Sequence, residues 1–480
     1  MQLPQPFIEN IHRLLGAEEG EQLLNALLAE QPISIRLNEE KVPNLSSAPI
    51  YNKVPWCATG CYLDHRPTFT FDPLFHAGAY YVQEASSMFV EQALKQYVHS
   101  PVLMLDLCAA PGGKSTLARS VLPQGSLLVA NEVMRQRAQV LAENLTKWGH
   151  PDVIVTNNDP ADFTQLADMF DVILTDVPCS GEGMFRKDEV AVSEWSTENV
   201  EICWQRQRRI LADIWPSLKE GGLLIYSTCT YNTQENEENV RWIADELGAD
   251  ILPLNIDAEW GITGNFLPDA AFPVYRFLPH KAQGEGLFLA VLRKRDAFPS
   301  KETRISSLGN ERFPVRERKA KGKPMQPTFS KEQLSEVSRW IKNEGYELLP
   351  MQGVLTAFSK QWTDELTALR EARLRILYAG CPLAEAKGKD LLPQHALAVS
   401  NLLASDAFPR VEVPYEQAIA YLRKEAIVLP PDAPRGYLLL TYNDAPIGFV
   451  KNIGNRANNL YPQEWRIRTG HLPEEIKLLM

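Results

Sequence analysis

The chain after residue 100 alternates short apolar runs with amphipathic stretches, and this alternation restricts the fold more than any other feature. The apolar runs lie at 102–107, 126–131, 153–156, 172–177 and 223–228. Helical periodicity is found between them, notably at 134–147 and 198–218. Short apolar strands separated by helices form βαβ units, in which a parallel sheet is covered on both faces. The pattern therefore predicts an α/β domain with a doubly wound sheet.

Sequence patterns on either side of these strands extend the same domain. Two further apolar runs, at 273–280 and 286–294, flank a turn that contains glycine. We expect them to form an antiparallel hairpin added to the sheet. Residues 71–99 predict a loop followed by a helix from Glu84 onward. The doubly wound domain is therefore expected to span residues 71–296.

The length of 480 residues exceeds what one hydrophobic core usually supports, so about two to four domains are expected. The remaining units are an N-terminal α/β extension at 1–70, a basic linker at 297–325, a central α/β region at 326–400 and a mostly β module at 401–480. The linker is rich in Lys, Arg and chain-breaking residues. The sequence supports two interpretations of this linker equally. It is either a basic strip that contacts phosphate groups or only a solvated connection.

Charge and cysteine content indicate where the protein works. The formal net charge of −11 argues against nucleic-acid binding over the whole surface, but a local basic surface acts within about 8–10 Å. The seven cysteines are scattered, as in a reduced cytosolic protein, and not arranged as a disulfide framework. The sequence has no run of about 18 apolar residues and no signal-peptide pattern. We therefore expect a cytoplasmic protein that does not bind membranes.

A turn of small residues follows the first predicted strand, in the stretch DLCAAPGGKS at 106–115. Small residues let a ligand approach the backbone, and the next helix presents free N–H groups and the positive end of its dipole. Because ligands of open α/β sheets bind at the carboxyl ends of strands, this turn is predicted to bind a ligand. Its Gly-Lys-Ser ending resembles a P-loop, although that motif requires glycine where Cys108 stands. A P-loop nucleotide triphosphatase is therefore an alternative.

Carboxylates stand at the ends of the next two predicted strands. Glu132 follows the second strand, where a carboxylate can accept hydrogen bonds from a ribose diol. Asp159 follows the third strand, where an adenine amino group could be recognised. Together with Asp106, this ordered set suits an adenosyl cofactor along the sheet edge and would repel a triphosphate. The acids therefore favour a nucleoside cofactor over the P-loop alternative.

Two cysteines follow the fourth and fifth predicted strands, Cys179 in DVPCSGEG and Cys229 in YSTCT. In a doubly wound sheet these strand ends are adjacent, so both thiols would face one cleft beside the ligand turn. A thiolate that adds to C6 of cytosine makes C5 nucleophilic enough to take a methyl group, which accounts for a thiol beside an adenosyl cofactor. Asp176 could then stabilise charge at N3 of the ring, and the Pro178 carbonyl could accept from the exocyclic amine.

The three stretches DLCAAPGGKS, DVPCSGEG and YSTCT together resemble the signature set of RNA cytosine-5 methyltransferases of the Sun/Nop type. The resemblance covers about residues 80–295, and the stretches 83–87 and 186–188 also fit that family. The C-terminal stretch 446–462 is similar to bacterial ribosomal RNA methyltransferases that append a PUA-like RNA-binding module. The resemblance implies a Rossmann-like catalytic domain at 71–296 and a PUA-like RNA-binding domain at 401–480.

The resemblance also implies S-adenosyl-L-methionine as the cofactor and assigns residues to it. The residues implied to wrap its methionine and ribose portions are Cys108, Ala109, Ala110, Pro111, Gly112, Gly113 and Lys114. Glu132 would hold the ribose hydroxyls, with Arg137 close by, and Asp159 would meet the adenine. Many members of the family have Asp where this chain has Glu132, and the longer side chain has the reach to do the same work.

The same resemblance assigns the reacting groups. Asp176 would lie between the cofactor and the base, and Cys229 would be the covalent nucleophile. Cys179 would assist resolution of the covalent adduct or release of the product. The implied reaction is methyl transfer to C5 of a cytosine in 16S ribosomal RNA, acting on the RNA or on the assembled small subunit. A monomer is expected, and another RNA such as tRNA is an alternative substrate.

Other readings predict different properties. A methyltransferase acting on an exocyclic amine would carry Asp-Pro-Pro-Tyr-like residues at strand four and would need no Cys229. A non-catalytic RNA-binding protein would lose nothing when its thiols are replaced. Cys57, Cys61 and His65 have a loose metal-like spacing without a fourth ligand nearby, so no metal is predicted.

The C-terminal module combines aromatic and basic residues, and the two types are predicted to do different work. We assign the aromatic side chains to the core of a small β module and the cations to contact with RNA. The aromatic residues are Phe449, Tyr461 and Trp465, and the cations are Lys451 and Arg456.

Overall fold

The computed structural model of the protein describes residues 2–42, 52–296, 329–342, 345–388, 390–469 and 476–479. The predicted basic linker at 297–325 lies outside these residues. Within the described ranges the strands form one nine-stranded sheet and three sheets of four strands. The large sheet carries the site considered below.

The N-terminal region begins with two helices that pack against each other and continues into a small antiparallel sheet. Its elements are α1 (Gln5–Leu15), α2 (Ala17–Leu28), β1 (Ile33–Leu37), β2 (Asn52–Lys53), β3 (Gly60–Leu63), α3 (Pro73–His76) and β4 (Tyr80–Val82). The strand order is β2-β3-β1-β4. Strand β4 lies where the sequence predicted a loop, since three residues are too short for a period of two to be recognised.

The next part of the chain contains the predicted βαβ units. Its elements are α4 (Val90–Tyr97), β5 (Leu103–Asp106), α5 (Gly113–Val121), β6 (Leu127–Asn131), α6 (Arg135–Trp148), β7 (Val153–Thr156), β8 (Phe170–Asp176), α7 (Glu189–Glu194), α8 (Thr197–Ile214), β9 (Leu218–Thr228), α9 (Glu237–Trp242), β10 (Ala249–Leu252), β11 (Tyr275–Phe277) and β12 (Leu287–Lys294). The five predicted strands and both predicted helices are confirmed.

The order of the central sheet is β10-β12-β9-β8-β5-β6-β7-β15. Strands β5 to β9 are parallel to one another, with β6 and β8 on opposite sides of β5. The chain therefore reverses its winding direction at β5, and ligands of such sheets bind at this point. Strand β12 pairs antiparallel with both β9 and β11, which confirms the predicted hairpin.

The C-terminal part adds two small sheets and the last strand of the large one. Its elements are α10 (Lys331–Ser338), β13 (Tyr346–Met351), β14 (Val354–Ser359), α11 (Thr363–Glu371), β15 (Ile376–Ala379), β16 (Cys381–Lys387), β17 (Asp390–Pro393), α12 (His395–Ala398), β18 (Arg410–Glu412), α13 (Tyr415–Leu422), β19 (Gly436–Tyr442), β20 (Ala445–Asn452) and β21 (Ala457–Asn459). The small sheets are β13-β14-β16-β17 and β18-β19-β20-β21. Strand β15, from the predicted central region, pairs antiparallel with β7 of the large sheet.

The central sheet separates two large clusters of buried side chains, because successive residues of a strand point to opposite faces. Met104 belongs to one cluster and Leu105 to the other. The second cluster includes Trp362 and Leu366 next to and within α11, so the C-terminal part helps to cover the catalytic sheet. Burying one such side chain fully stabilises the fold by about 1.5–3 kcal/mol.

The C-terminal module packs against the N-terminal sheet. Ile35 and Tyr80 of that sheet share a buried cluster with Ile419 and Leu440 of the module. The first and last parts of the chain are thus joined by one core. In the residues that the structure describes, no helix combines the length and apolar character needed to cross a membrane.

Candidate active site

The turn after β5 forms one wall of a cleft at the carboxyl ends of the parallel strands. Gly112 has a φ of +115°, a left-handed conformation that glycine adopts readily. A Cβ there would lie 3.3 Å from Leu141 Cδ1. Helix α5 begins at Gly113, so its first N–H groups face the turn. The predicted residues 108–114 are therefore brought together as a cradle that larger side chains would fill.

Asp106 stands at the end of β5 beneath this turn. Its Oδ2 accepts a hydrogen bond from Ser115 Oγ, and its Oδ1 is buried without a partner among the residues that the structure describes. Burial raises the pKa of Asp106 to about 7. A buried polar oxygen without a partner is costly unless a ligand supplies a donor. The site therefore fits a small molecule that donates hydrogen bonds, as the amino group of S-adenosylmethionine does.

Glu132 is 3% exposed at the end of β6. Its carboxylate accepts the N–H of Met134 at 2.8 Å and lies 3.4 Å from Arg137 Nη1. Arg137 Nη2 also donates to the Ala110 carbonyl at 2.8 Å. Arg137 thus links the strand-two acid to the turn after β5. The structure places these two predicted residues beside the cradle.

Asp159 is exposed beyond the end of β7, and its carboxylate is used locally. Its Oδ1 accepts the N–H of Ala161 at 3.1 Å, while its own N–H donates to Asp162. It therefore caps the turn 160–165, and its predicted contact with adenine stays a prediction. The neighbouring wall is built by Asn131, whose amide donates to the carbonyls of Leu107 and Asn158. Sequence reasoning missed this asparagine, although it directly precedes Glu132.

Asp176, at the end of β8, is held by two neighbours. Lys114 Nζ lies 2.8 Å from its Oδ2, and Ser227 Oγ donates to its Oδ1 at 2.8 Å. Burial alone would lower the pKa of Lys114, but Asp176, together with Cys229 and Asp106 nearby, outweighs burial and raises the pKa above its usual value. Lys114 therefore carries its positive charge at the centre of the cleft. Its partner is a carboxylate that belongs to the predicted site.

The two predicted cysteines meet at the ends of β8 and β9. Cys179 Sγ and Cys229 Sγ are 3.2 Å apart, and the Cys229 N–H donates to Cys179 Sγ at 3.4 Å. The hydrogen bond to Cys229, together with burial, raises the pKa of the Cys179 thiol well above its ordinary value. Cys179 therefore remains protonated near neutral pH. The geometry offers one thiol that keeps its proton beside a second one that can react.

Several polar residues that support the cysteine loops were not found from the sequence. Gln207 of α8 donates to the Pro178 carbonyl at 3.0 Å, so this carbonyl already has one partner. The Gly183 N–H donates to the Cys229 carbonyl at 2.7 Å, and a Cβ at Gly183 would lie 2.8 Å from that oxygen. The polar stretch QENEEN at 234–239, shortly after the second cysteine, was the signal in the sequence for polar side chains near this loop.

The family-like stretches 83–87 and 186–188 support the cleft from outside. Arg186 forms a buried ion pair with Glu285 at 3.1 Å. Glu84 accepts the N–H groups of Ser86, Ser87 and Glu285 at 2.7–2.8 Å. These contacts join the segment before α4 to the hairpin β11–β12. Their residues therefore hold these segments of backbone together.

The other candidates from the sequence lie elsewhere. The Cys57 thiol donates to Glu91 at 3.0 Å, and burial raises its pKa to about 12, so it is a packed thiol. Phe449 and Tyr461 are buried, which confirms their assignment to the core. Arg456 is exposed and Lys451 half-exposed on the last sheet. Their contact with RNA stays a prediction.

Solved structures show the same fold in methyltransferases. A methyltransferase homologue protein from Pyrococcus horikoshii is 28% identical, with a TM-score of 0.53, and the match covers 61% of this chain and 95% of that chain. NSun6 from Pyrococcus horikoshii, solved with SFG, is 21% identical with a TM-score of 0.52, covering 61% of this chain and 98% of the other. The fold and the cradle after β5 together define an S-adenosylmethionine-dependent methyltransferase.

Family models and curated relatives identify the kind of methyltransferase. The models for 16S rRNA methyltransferase RsmB/F, the RsmF N-terminal domain and the RsmF PUA domain match residues 94–293, 3–85 and 408–467. Ribosomal RNA small subunit methyltransferase F from Escherichia coli O157:H7 is 32% identical over 87% of this chain and 85% of its own length. The protein of that name from Erwinia tasmaniensis is 29% identical over 98% of both chains.

The chain therefore belongs to the family of ribosomal RNA small subunit methyltransferase F. It is an RNA methyltransferase that uses S-adenosylmethionine to methylate ribosomal RNA. The predicted Rossmann-like fold, the PUA-like module and the cofactor are confirmed.

Proposed function

We propose that this enzyme methylates C5 of a cytosine in 16S ribosomal RNA through a covalent bond between Cys229 Sγ and C6 of the base. The observation that carries the proposal is the pair of thiols 3.2 Å apart at the ends of β8 and β9. The Lys114–Asp176 pair lies at the neighbouring strand end, between the thiols and the cradle. An enzyme that methylates an exocyclic amine would need neither cysteine.

The cradle residues would hold S-adenosylmethionine, which supplies the methyl group when it is bound. Residues 108–114 would hold its methionine and ribose portions, and Asp106 Oδ1 would accept a hydrogen bond from a donor there. Glu132, fixed by Arg137, accepts from the ribose hydroxyls. Asp159 is assigned to the adenine side.

Cys229 would start the reaction on the base. A free thiol is only a few per cent thiolate at neutral pH, and a nearby cation favours the thiolate. When the sulfur–C6 bond forms, negative charge spreads over C5 and N3. Asp176, held 2.8 Å from Lys114, would relay the proton released by the Cys229 thiol to N3, which neutralises the ring and leaves C5 electron-rich.

Cys179 would end the reaction. Once C5 carries the methyl group, a base removes the C5 proton, and the electron pair of that C–H bond expels Cys229 from C6. The departing sulfur becomes a thiolate, and the Cys179 thiol beside it can supply a hydrogen bond or a proton. The raised pKa of Cys179, caused by its hydrogen bond to Cys229 and by burial, keeps that proton available.

The substrate would be recognised outside the cleft. The PUA domain, with Lys451 and Arg456 on its last sheet, is assigned to RNA contact. The target base must leave its stack to reach Cys229, which costs a few kcal/mol that backbone contacts offset. We assign the small-subunit RNA, either free or in the assembled subunit, as the substrate and expect a monomer acting in the cytoplasm.

Labelled S-adenosylmethionine and RNA that lacks the modification test the proposal. Wild type, Cys229→Ala and Cys179→Ala would be incubated with naked 16S RNA, assembled small subunits and a tRNA control, then separated on a denaturing gel. We expect 5-methylcytosine from wild type, no transfer by Cys229→Ala and a covalent protein–RNA band for Cys179→Ala. Methyl transfer by Cys229→Ala would refute the covalent mechanism. Stronger labelling of tRNA would refute the substrate assignment.

A further inference from the structure

Two glutamates are buried between the cysteine loops without a basic partner. Glu182, 2% exposed, follows Cys179, and Glu235, 0% exposed, follows Cys229. In the part of the chain that the structure describes, neither carboxylate forms an ion pair with Lys, Arg or His. A buried charge without a counterion is expensive, and it persists where hydrogen bonds compensate for it.

Glu182 reaches from its own loop into the loop of the other cysteine. Its Oε2 accepts the backbone N–H groups of Tyr231 and Asn232 at 2.7 and 3.1 Å. Its Oε1 accepts from Trp195 Nε1 at 3.1 Å. Glu182 therefore fixes the backbone two and three residues after Cys229.

Glu235 makes the opposite connection. Its Oε1 accepts the N–H of Ser180 at 3.0 Å and Gln207 Nε2 at 2.8 Å. Its Oε2 accepts the Ser180 hydroxyl and Asn232 Nδ2, the latter at 2.7 Å. The same Asn232 amide donates to Glu182 at 3.2 Å. Each loop thus sends one carboxylate across to the backbone of the other, and Asn232 joins the two carboxylates.

We propose that Glu182 and Glu235 are positioning residues that hold Cys179 and Cys229 in contact. We call the crossed pair the carboxylate clasp. Burial, and then the charge of Glu182, raises the pKa of Glu235, so placing two carboxylates here opposes stability. An apolar pair would close these loops at a lower cost in free energy, but it would not bind the backbone N–H groups one to three residues after each cysteine. The clasp thereby sets the distance between the two sulfurs.

The clasp has a direct, chemical readout that requires neither RNA nor methyl transfer. Diamide, an azo compound, takes two electrons and two protons from a pair of thiols as their S–S bond forms. Full-length wild type, Glu182→Gln and Glu235→Gln would be treated with it, and the Cys179–Cys229 disulfide measured by peptide mass spectrometry. Glu91→Gln, which changes a carboxylate buried away from the cleft, is the matched control.

We expect the disulfide to form at least about tenfold more slowly in both clasp variants. Without the clasp the two sulfurs move apart, and a displacement of about 1 Å strongly slows a reaction between two groups that the protein positions. The Glu91→Gln protein should react like wild type. Thermal unfolding and S-adenosylmethionine binding identify variants that remain folded. If a clasp variant fails to fold, Asn232→Ala removes the shared amide from a half-buried position and serves instead. An unchanged disulfide rate in a folded variant overturns the inference.

The catalytic consequence of the clasp rests on the proposed two-thiol mechanism. Loosening the clasp should separate Cys179 from the adduct, so both Gln variants should accumulate the covalent protein–RNA band that Cys179→Ala gives. If Cys229→Ala still transfers methyl groups, the proposed function fails, yet the disulfide rates still decide whether the clasp holds the thiols. If the disulfide slows but no band accumulates with active enzyme, the clasp positions the thiols without the catalytic consequence and that part is overturned.

Discussion

At the scale of single residues, the site works through side chains whose direction is fixed by neighbours. Glu132 is the clearest example, since a backbone N–H and Arg137 hold both of its oxygens. Arg137 also holds the Ala110 carbonyl, so one cation orders both the acid and the cradle. Acceptors held in place in this way strengthen binding, which suits the role proposed for Glu132 toward the ribose diol.

The change Glu132→Gln should raise the Kd for S-adenosylmethionine about tenfold, because hydrogen bonds to a charged acceptor are stronger than those to an amide. Isothermal titration of the purified protein measures it. Glu143→Gln on α6, which removes a carboxylate paired with Lys147 outside the cleft, is the control and should bind like wild type. Equal affinity of the two variants would contradict the assigned role of Glu132.

Residue types at strand ends made much of the site predictable, but the partners of those residues could not be read from the sequence. Cys179 and Cys229 were placed together because strand order alone makes their loops adjacent. Glu182 and Glu235 were missed because their partners become neighbours only when the two loops fold against each other. For Asp159 the missed partner is local: its carboxylate accepts a backbone N–H and caps the turn that follows, a role that sequence reasoning did not consider.

At the scale of elements, the loops after β8 and β9 touch so closely that one position admits only glycine. Gly183 lies against the Cys229 carbonyl, and a Cβ would also be 3.0 Å from the backbone of Gly286. Backbone atoms on two sides cannot move aside as a flexible side chain would. The contact between the loops therefore requires glycine at position 183 as well as the carboxylate clasp.

Replacing Gly183 by Ala should reduce kcat for methyl transfer by about a hundredfold, since it pushes the Cys229 loop away by a fraction of an ångström or more. Gly264→Ala, at an exposed position with nothing within 4 Å, is the control and should keep wild-type activity. Initial rates at saturating S-adenosylmethionine give the comparison. Unreduced activity of a folded Gly183→Ala protein would show that the loop contact is not required.

Element prediction succeeded where the signal was local. The apolar strands β5 to β9 are recognisable from composition, and their order follows from the winding rule. Strand β15 was not predicted as part of that sheet, because its partner β7 is more than 200 residues earlier and nothing in Ile376–Ala379 specifies it. The domain limits stay a prediction, although the cores are shared across them.

At the scale of the molecule, the parts of the chain meet around two buried histidines. His76 Nε2 donates to the Thr70 carbonyl at 2.9 Å, and its Nδ1 accepts from Tyr461 OH at 3.3 Å. His395 packs edge-on against Tyr461 and Trp465, with both ring nitrogens buried and unpartnered among the described residues. Burial, and then the charge of Lys147, lowers the pKa of each histidine to about 3.

The change His395→Phe should make the protein less sensitive to acid. The neutral native histidine stabilises the fold above its unfolded pKa of about 6.5, and this contribution is lost progressively as the pH falls towards about 3. Between about pH 7.5 and pH 5 the free energy of unfolding falls by about 2 kcal/mol through this histidine. A Phe side chain does not titrate, so the variant does not lose this stability. Thermal midpoints at both pH values measure the effect. His99→Phe, at an exposed position, is the control and should keep the wild-type acid sensitivity. If the thermal midpoint falls equally in both variants between the two pH values, His395 is not a source of the acid sensitivity.

The late strand β15 has a consequence for how the enzyme is made. Its neighbour Arg375 accepts the N–H of Asn157 at its carbonyl and donates its own N–H to the side-chain oxygen of Asn158, a contact that joins residues 217 positions apart. At about 5–20 residues per second, translation leaves the edge of β7 without its partner for roughly 10–40 seconds. An unpaired edge is a template for association with other chains. The edge of β7 is therefore open to such association until the segment that covers it has been synthesised.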